Sequence, residues 1–208
     1  MASVTKGKCR LCSKEFGKTA IKNHIVKVHD DGEGEEKCAL LKIEGAYNKN
    51  YWLYVDAPLI TALSKIDDFM RDIWLECCGH LSCFTWDGRE EIDPKHKLRD
   101  FYIGTRFIHE YDFGSTTTSL VTIVGVISRK KQRQAVRLLA RNNAPTFTCS
   151  SCGEPATGLC AECMYDTDNP FLCDDCAEKH EHEEMMLPVT NSPRMGVCGY
   201  TGGSDFYN

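Results

Sequence analysis

The stretch that decides the fold is CSSCGEPATGLCAECMYDTDNPFLCDDCAEKHEH, residues 149–182. It holds four consecutive pairs of candidate metal ligands, namely Cys149/Cys152, Cys160/Cys163, Cys173/Cys176 and His180/His182. A structural zinc ion takes four thiolate or imidazole ligands in a tetrahedron, so these eight ligands are enough for two closed sites. Because so short a segment cannot bury a core, metal binding must supply its folding free energy. The stretch therefore predicts a two-zinc module.

The order of the pairs resembles a B-box-type cross-brace zinc domain, in which alternate pairs share an ion. The resemblance implies two ligand sets: Cys149, Cys152, Cys173 and Cys176 for one ion, and Cys160, Cys163, His180 and His182 for the other. Sequential pairing is the alternative, because the spacer before Cys173 is longer than in B-boxes. A second alternative replaces one histidine by Cys198. B-box relatives often accompany ubiquitin ligases, but no catalytic residue is carried over here.

A further set of ligands near the N-terminus has the spacing Cys9-x2-Cys12-x11-His24-x4-His29. Two thiolates from a tight turn and two imidazoles about one helical turn apart suit one tetrahedral zinc ion. Phe16 and Ile21 are the large apolar residues between the pairs, and we expect them to form a miniature core. The segment resembles the C2H2 zinc-finger family, with a stretch from Phe16 to Ile21 that is one residue shorter than usual.

The finger segment is basic, with seven cations against Glu15 in residues 1–29, and such a surface suits phosphate contact. Fingers of this family usually contact bases through the helix positions that correspond to Gly17, Ala20 and Asn23. Glycine and alanine offer no side-chain hydrogen bond to a base edge. We therefore expect phosphate-backbone contact with nucleic acid, or docking of a protein, in place of sequence-specific reading.

The opposite charge sign lies further along the chain, which carries a net charge of −5. Residues 145–183 hold nine acids against Lys179, so we expect a protein partner, and not nucleic acid, at the C-terminal module. Residues 30–36, DDGEGEE, hold five acids and no base, which is typical of a solvated linker.

Thirteen cysteines, an odd number with four C-x2-C pairs and no apolar signal region before them, favour metal ligation over disulfides. We therefore expect a cytoplasmic protein with three Zn²⁺ ions. No run of about 18 apolar residues is present, so no membrane-spanning segment is expected.

The central residues 38–145 are expected to form a mixed α/β domain. Strands are predicted at Leu40–Ile43, Tyr51–Val55 and Ser119–Ile127, and a helix with Asp56 as its N-cap and an apolar face that reaches Trp74. Residues 136–140 read either as a strand with Arg137 facing solvent or as a helix capped at Ser128. The basic residues 129–133 before it suggest a solvated loop, with a phosphate-binding patch as the alternative.

The cysteines outside the predicted ligand sets are Cys38, Cys77, Cys78, Cys83 and Cys198. Three of them lie with His80 in the run CCGHLSC, residues 77–83, but the spacing is not that of a zinc knuckle. Free cysteines often behave as small buried hydrophobes, so we read these mainly as buried thiols, with a fourth metal site as the alternative.

The central domain resembles the plasmid pRiA ORF-three-like family. The shared pattern is two strands, a helix that ends at Trp74, the run HLSCF at residues 80–84 and YDFG at residues 111–114. It covers residues 38–143. Members of the family occur on plasmids and as passengers of insertion elements, and the resemblance implies an α+β fold with no established activity. The acidic residue and tryptophan that usually follow YDFG are replaced here by Ser115 and threonines.

The sequence thus predicts an α+β fold, a central mixed α/β domain with small zinc-binding modules at both ends. The expected divisions are a finger at 1–30, an acidic linker at 31–37, the central domain at 38–145, the two-zinc module at 146–183 and a tail at 184–208. The favoured function is a non-enzymatic multi-zinc adaptor or regulator. The alternatives are a nucleic-acid-binding regulator that uses residues 6–27 and 129–141, and an enzyme centred on His80, His109 and Asp112.

Overall fold

The computed structural model describes residues 5–204. The first four and last four residues lie outside this range, and with them the start of the predicted finger segment and the end of the predicted tail. The chain divides into two compact units, Met1–Met70 with Leu81–Asn143, and Arg71–His80 with Ala144–Asn208. A large antiparallel sheet with a few helices confirms the predicted α+β class.

The first unit is built on a nine-stranded sheet with the strand order β2-β1-β9-β4-β3-β8-β7-β5-β6. The strands are β1 Lys6–Cys9, β2 Glu15–Gly17, β3 Glu36–Gly45, β4 Trp52–Pro58, β5 Ser82–Thr85, β6 Glu91–Ile92, β7 Arg106–Tyr111, β8 Thr117–Arg129 and β9 Arg137–Asn142. The helices are α1 Lys18–Val28, α2 Leu63–Met70 and a 3-10 turn at Leu98–Asp100. Strand β9 settles the open choice for residues 136–140 in favour of a strand.

The N-terminal finger is part of this sheet, because β1 pairs with β9 as well as with β2. Gly7 permits the close approach, since a Cβ there would collide with the Arg141 carbonyl and the Trp52 ring. On α1, Ile21 and Ile25 are fully buried. They share one cluster with residues of the sheet, among them Cys38, Leu40, Trp52, Tyr54, Ile127 and Leu139. The miniature core of the finger thus continues into the core of the sheet.

Asp56 does not cap a helix, as the sequence suggested, but lies fully buried in β4. Its two carboxylate oxygens accept hydrogen bonds of 2.5 Å from Arg129 Nη1 and from Arg137 Nη2. Arg137 therefore does not face solvent, and Arg129, which also pairs with Glu36 at 3.0 Å, is buried and unavailable to a phosphate-binding patch. A buried carboxylate needs such partners. Here the two ion pairs keep Asp56 in strand β4, which continues to Pro58.

The second unit contains a three-stranded sheet of order β11-β10-β12. Its elements are a π-helical turn at Arg71–Leu75, β10 Gly158–Cys160, a 3-10 turn at Cys163–Tyr165, β11 Phe171–Leu172, α3 Asp174–Ala177, a 3-10 turn at Glu183–Met185 and β12 Met186–Pro188. These strands hold only two or three residues each, and their buried apolar side chains include Leu159 and Leu172. Little apolar core is therefore available to hold the zinc module together.

No helix within residues 5–204 is both long enough and apolar enough to cross a membrane.

The ion pairs of Asp56 lead to a stability prediction. Asp56→Asn keeps the shape of the side chain but leaves two guanidinium groups without their carboxylate, and loss of one partner from a buried ion pair costs about 3 to 5 kcal/mol. We expect a loss of this size in the free energy of unfolding, measured by urea denaturation. Asp68→Asn is the control, because the Asp68 pair with Lys65 is exposed and screened by water. Equal stability of the two variants would contradict the assigned role of Asp56.

Candidate metal centres

The finger ligands converge from two elements of the first unit. The turn after β1 carries Cys9 and Cys12, and Ser13 there has a positive φ of 59° and donates its backbone N–H to the Cys9 carbonyl at 2.8 Å. Helix α1 carries His24, and His29 follows as its C-cap. All four ligand atoms lie within 4.8 Å of one another.

The distances within the finger set suit a tetrahedral ion. The Nε2 atoms of His24 and His29 are 3.1 Å apart, and they lie 3.2 Å from Cys12 Sγ and 3.4 Å from Cys9 Sγ, respectively. Bonds of about 2.3 Å to sulfur and about 2.0 Å to nitrogen place the corners of a tetrahedron roughly 3.3 to 3.8 Å apart. The ligand atoms therefore have almost the separations that a zinc ion at their centre requires.

Burial also prepares His29 for a metal. Burial, and then the neighbouring His24, lower the pKa of His29 below its ordinary value. A metal binds the neutral imidazole, so this shift reduces competition from protons at neutral pH.

The all-cysteine set comprises Cys149, Cys152, Cys173 and Cys176, whose sulfurs lie within 4.8 Å of one another. Cys149 and Cys152 flank a turn that closes at Gly153, where φ is +80°. Cys173 is the N-cap of α3, and Cys176 lies on that helix. The Sγ atoms of Cys152 and Cys173 are 3.6 Å apart, which again matches the edge of a tetrahedron around zinc.

Protonation within this set shows why a cation is needed. Backbone N–H groups, that of Cys173 foremost, lower the pKa of Cys149 to about 6. The neighbouring thiols, those of Cys173 and Cys152 first, raise the pKa of Cys176 to about 12. Four thiols at this spacing cannot all ionise alone, whereas a divalent ion stabilises every thiolate that contacts it.

The mixed set comprises Cys160, Cys163, His180 and His182, again within 4.8 Å. Cys163 Sγ lies 3.3 Å from Nε2 of His180 and 3.4 Å from Nδ1 of His182. The two histidines follow α3 and are separated by a single residue. They can contact the same ion because each presents a different ring nitrogen. The structure thus groups the eight ligands in interleaved order, and it places Cys198 elsewhere.

Each of these three sets closes around its centre with four protein ligands. A closed tetrahedron has no position for a water or a substrate, so it suits a structural ion and not metal catalysis. The donors are soft thiolates and imidazoles, which favour zinc over calcium or magnesium.

The residues considered for catalysis have other roles. His109 is fully buried, and its Nε2 lies 2.7 Å from Asp67 Oδ1. Asp112 has a φ of +65° and accepts hydrogen bonds from the backbone N–H groups of Gly114 and Ser115. His80 belongs to the second unit, where its Nε2 is 3.3 Å from Cys198 Sγ. His109 and Asp112 thus serve local hydrogen bonds of the first unit.

Two of the remaining cysteines lie in the sheet. Cys38 in β3 is fully buried, and burial raises the pKa of its thiol to about 12. Cys83 lies in β5 opposite Glu110, and burial raises the pKa of its thiol. Neither belongs to a cluster of metal ligands among the residues that the structure describes.

Sequence reasoning missed one grouping. Cys77, Cys78 and His80 meet Cys198, and their four ligand atoms lie within 4.8 Å of one another. The run CCGH was a visible local signal, but Cys198 follows His80 by 118 residues, and no spacing rule connects them.

Comparisons with known proteins leave the function open. No family model matches the chain, and no curated protein matches it. Among solved structures, the chain is similar to the protein of unknown function MM3350 from Methanosarcina mazei Go1. The sequences are 18% identical, the match covers 57% of this chain and 76% of that chain, and the TM-score is 0.42.

Cobalt substitution can test the interleaved grouping in the full-length protein. After Cys160→Ser with Cys163→Ser, interleaving leaves an all-cysteine site in the module, whereas sequential pairing leaves a site with two cysteines and two histidines. The intensity of the sulfur-to-cobalt charge-transfer band grows with the number of bound thiolates. We therefore expect this double variant to lose the absorption of two thiolates relative to the unsubstituted protein. Cys173→Ser with Cys176→Ser is the mirror variant and should lose four. The reverse order of losses would establish sequential pairing.

Proposed function

We propose that this chain is a non-enzymatic, multi-zinc adaptor of the cytoplasm. Its acidic C-terminal zinc module recruits a protein partner, and its basic finger contacts a nucleic-acid backbone. The observation that carries the proposal is an open acidic groove beside the all-cysteine set. Structural zinc ions would hold both contact surfaces in shape, which is the usual role of closed sites.

The groove has a volume of about 510 Å³. Three of the four cysteines of the set line it, together with Glu154, Asp174 and Asp175. Asp174 Oδ1 also accepts a hydrogen bond of 2.6 Å from the Thr157 hydroxyl, which orients that carboxylate. Four thiolates around one divalent ion leave two further negative charges at the groove. A lysine- or arginine-rich segment of a partner is therefore the complementary ligand.

Acidic side chains outside the groove extend the same field. Six of the nine acids of residues 145–183 lie outside the groove, and all six are exposed: Glu162, Asp166, Asp168, Glu178, Glu181 and Glu183. A surface of one sign raises the association rate of an oppositely charged partner and repels phosphate groups. This distribution supports protein docking at the module.

The finger supports a second contact, with nucleic acid. Its exposed cations are Lys6, Lys8, Arg10, Lys14 and Lys27, whereas Lys18 forms a 3.0 Å ion pair with Glu44. Lys130, Lys131 and Arg133 are exposed before β9, the strand that pairs with β1. Of the three helix positions at the usual base contacts, only Asn23 is both exposed and able to form a hydrogen bond with a base edge, so phosphate contacts would supply most of the binding.

The resemblance of residues 38–143 to the plasmid pRiA ORF-three-like family adds a biological setting to the proposal. Such proteins accompany plasmids and insertion elements. An adaptor that contacts nucleic acid at one end and a protein at the other suits a mobile element.

The groove can be tested with an oligoarginine peptide and the full-length protein, by fluorescence anisotropy at low salt. Asp174→Asn with Asp175→Asn should weaken binding on the order of tenfold, because two charge contacts in the groove are lost. Asp166→Asn with Asp168→Asn makes the same change in net charge outside the groove and should have a much smaller effect. Equal losses would show that net charge, and not the groove, binds the peptide.

Nucleic-acid contact can be tested by mobility shift with two duplexes of unrelated sequence. We expect similar affinity for both and a steep loss of binding as salt rises, because counterion release drives phosphate contact. Lys8→Ala with Lys14→Ala should weaken both complexes, whereas Lys65→Ala with Lys95→Ala should not. Absence of a shift at low salt would remove the nucleic-acid role and leave protein docking in place.

A further inference from the structure

We infer that Cys77, Cys78, His80 and Cys198 form a fourth zinc site, which fastens the C-terminal tail to the segment that follows the π-helical turn. Its four ligand atoms lie within 4.8 Å of one another, as in the three sets described above. Cys198 Sγ is 3.3 Å from His80 Nε2 and 3.9 Å from Cys78 Sγ. These separations are close to the edges, roughly 3.3 to 3.8 Å, of a tetrahedron around zinc.

The backbone of the first three ligands is shaped for convergence. The chain leaves the π-helical turn at Leu75, and Glu76 then accepts a 2.6 Å hydrogen bond from the Gly79 backbone N–H. Gly79 has a φ of +74°, a conformation that glycine adopts without strain, and it reverses the chain between Cys78 and His80. The local fold therefore turns three successive donors toward one point, without the spacing of a zinc knuckle.

The fourth ligand is held in a strained conformation. Cys198 has a φ of +52°, although L-residues with a side chain rarely adopt this region. The next residue, Gly199, has a φ of +66°, but glycine has no side chain and adopts this region without strain. Strain of this kind persists where other contacts determine the conformation, and here the contact is that of the Cys198 thiol with His80 and Cys78.

A buried cation next to the cluster favours a thiolate at Cys77. Arg194 is fully buried, and its Nε and Nη2 atoms both lie 3.4 Å from Cys77 Sγ. Its backbone N–H donates to Ser192 Oγ, and the Ser192 hydroxyl donates to the Trp74 carbonyl at 2.6 Å, which fixes the tail segment. Three thiolates, a neutral imidazole and one divalent ion carry a single negative charge. The guanidinium of Arg194 cancels it.

The donor set selects the metal. Three thiolates and one imidazole are a regular structural zinc set and leave no open position. A disulfide between Cys78 and Cys198 is the competing outcome, but their sulfurs are 3.9 Å apart, about twice the length of a disulfide bond. The inference is independent of the proposed docking function, because it concerns ligands outside the acidic groove.

Metal counting on the full-length protein tests the site. Protein reconstituted with zinc under reducing conditions and freed of excess metal should hold four zinc ions by mass spectrometry of the metal. Cys198→Ser and Cys78→Ser should each hold three. Cys83→Ser is the matched control and should hold four, because Cys83 lies in β5 and belongs to no ligand set. A parent protein with three ions, or a Cys198→Ser variant that keeps the parent count, would overturn the site.

Further variants guard against simple misfolding. His80→Cys keeps four donors at the site, so this variant should hold four zinc ions. His80→Ala removes one donor and should hold three. Arg194→Met leaves all ligands in place and should weaken only this site, by roughly 10- to 100-fold, as expected for an outer-shell partner. Cadmium-113 spectra of the substituted protein should lose one of four resonances in Cys198→Ser, with the other three unmoved. A Cys78–Cys198 disulfide in the mass of zinc-reconstituted protein, after the reductant is removed and air is admitted, would overturn the inference.

Discussion

Thiolates repel one another, and four Cys/His clusters of this chain crowd them at spacings that a bound cation would stabilise. Each of four clusters brings its ligand atoms within 4.8 Å of one another, and the pKa of Cys176, raised to about 12 by its neighbours, shows the cost of this crowding without an ion. A divalent ion reverses the balance, so ion binding and folding become one equilibrium. An ion would contribute most to the second unit, because its strands span only two or three residues.

The ionic contacts of the first unit are of another kind. Asp56, Arg129 and Glu44 are buried there, and each is ion-paired with one or more residues of the same unit. Such pairs hold strands in place and leave no charge for a ligand. The exposed charges of the finger and of the zinc module have opposite signs. This difference in sign is the basis on which we propose different partners for the two.

Sequence reasoning reached furthest where the physical signal was local. Paired cysteines two residues apart form the turn that a tetrahedral ion needs, so the residues that the structure groups in the finger and in the module could be named from spacing as candidate ligands. It failed where partners are distant. Asp56 before Pro58 resembles a helix cap, and its partners Arg129 and Arg137 follow it by 73 and 81 residues. Cys198 joins the CCGH run across a still longer gap, since it follows His80 by 118 residues.

The pairing of β1 with β9 gives the finger a protective role at the edge of the sheet. A long strand at a sheet edge exposes unpaired N–H and C=O groups and can template self-association. Strand β6, at the far edge, is only two residues long, whereas β9 spans six residues and is covered by the finger hairpin. If the finger came away from β9, that strand would become a six-residue edge open to self-association. An ion held by the four finger ligands would therefore also guard the chain against aggregation.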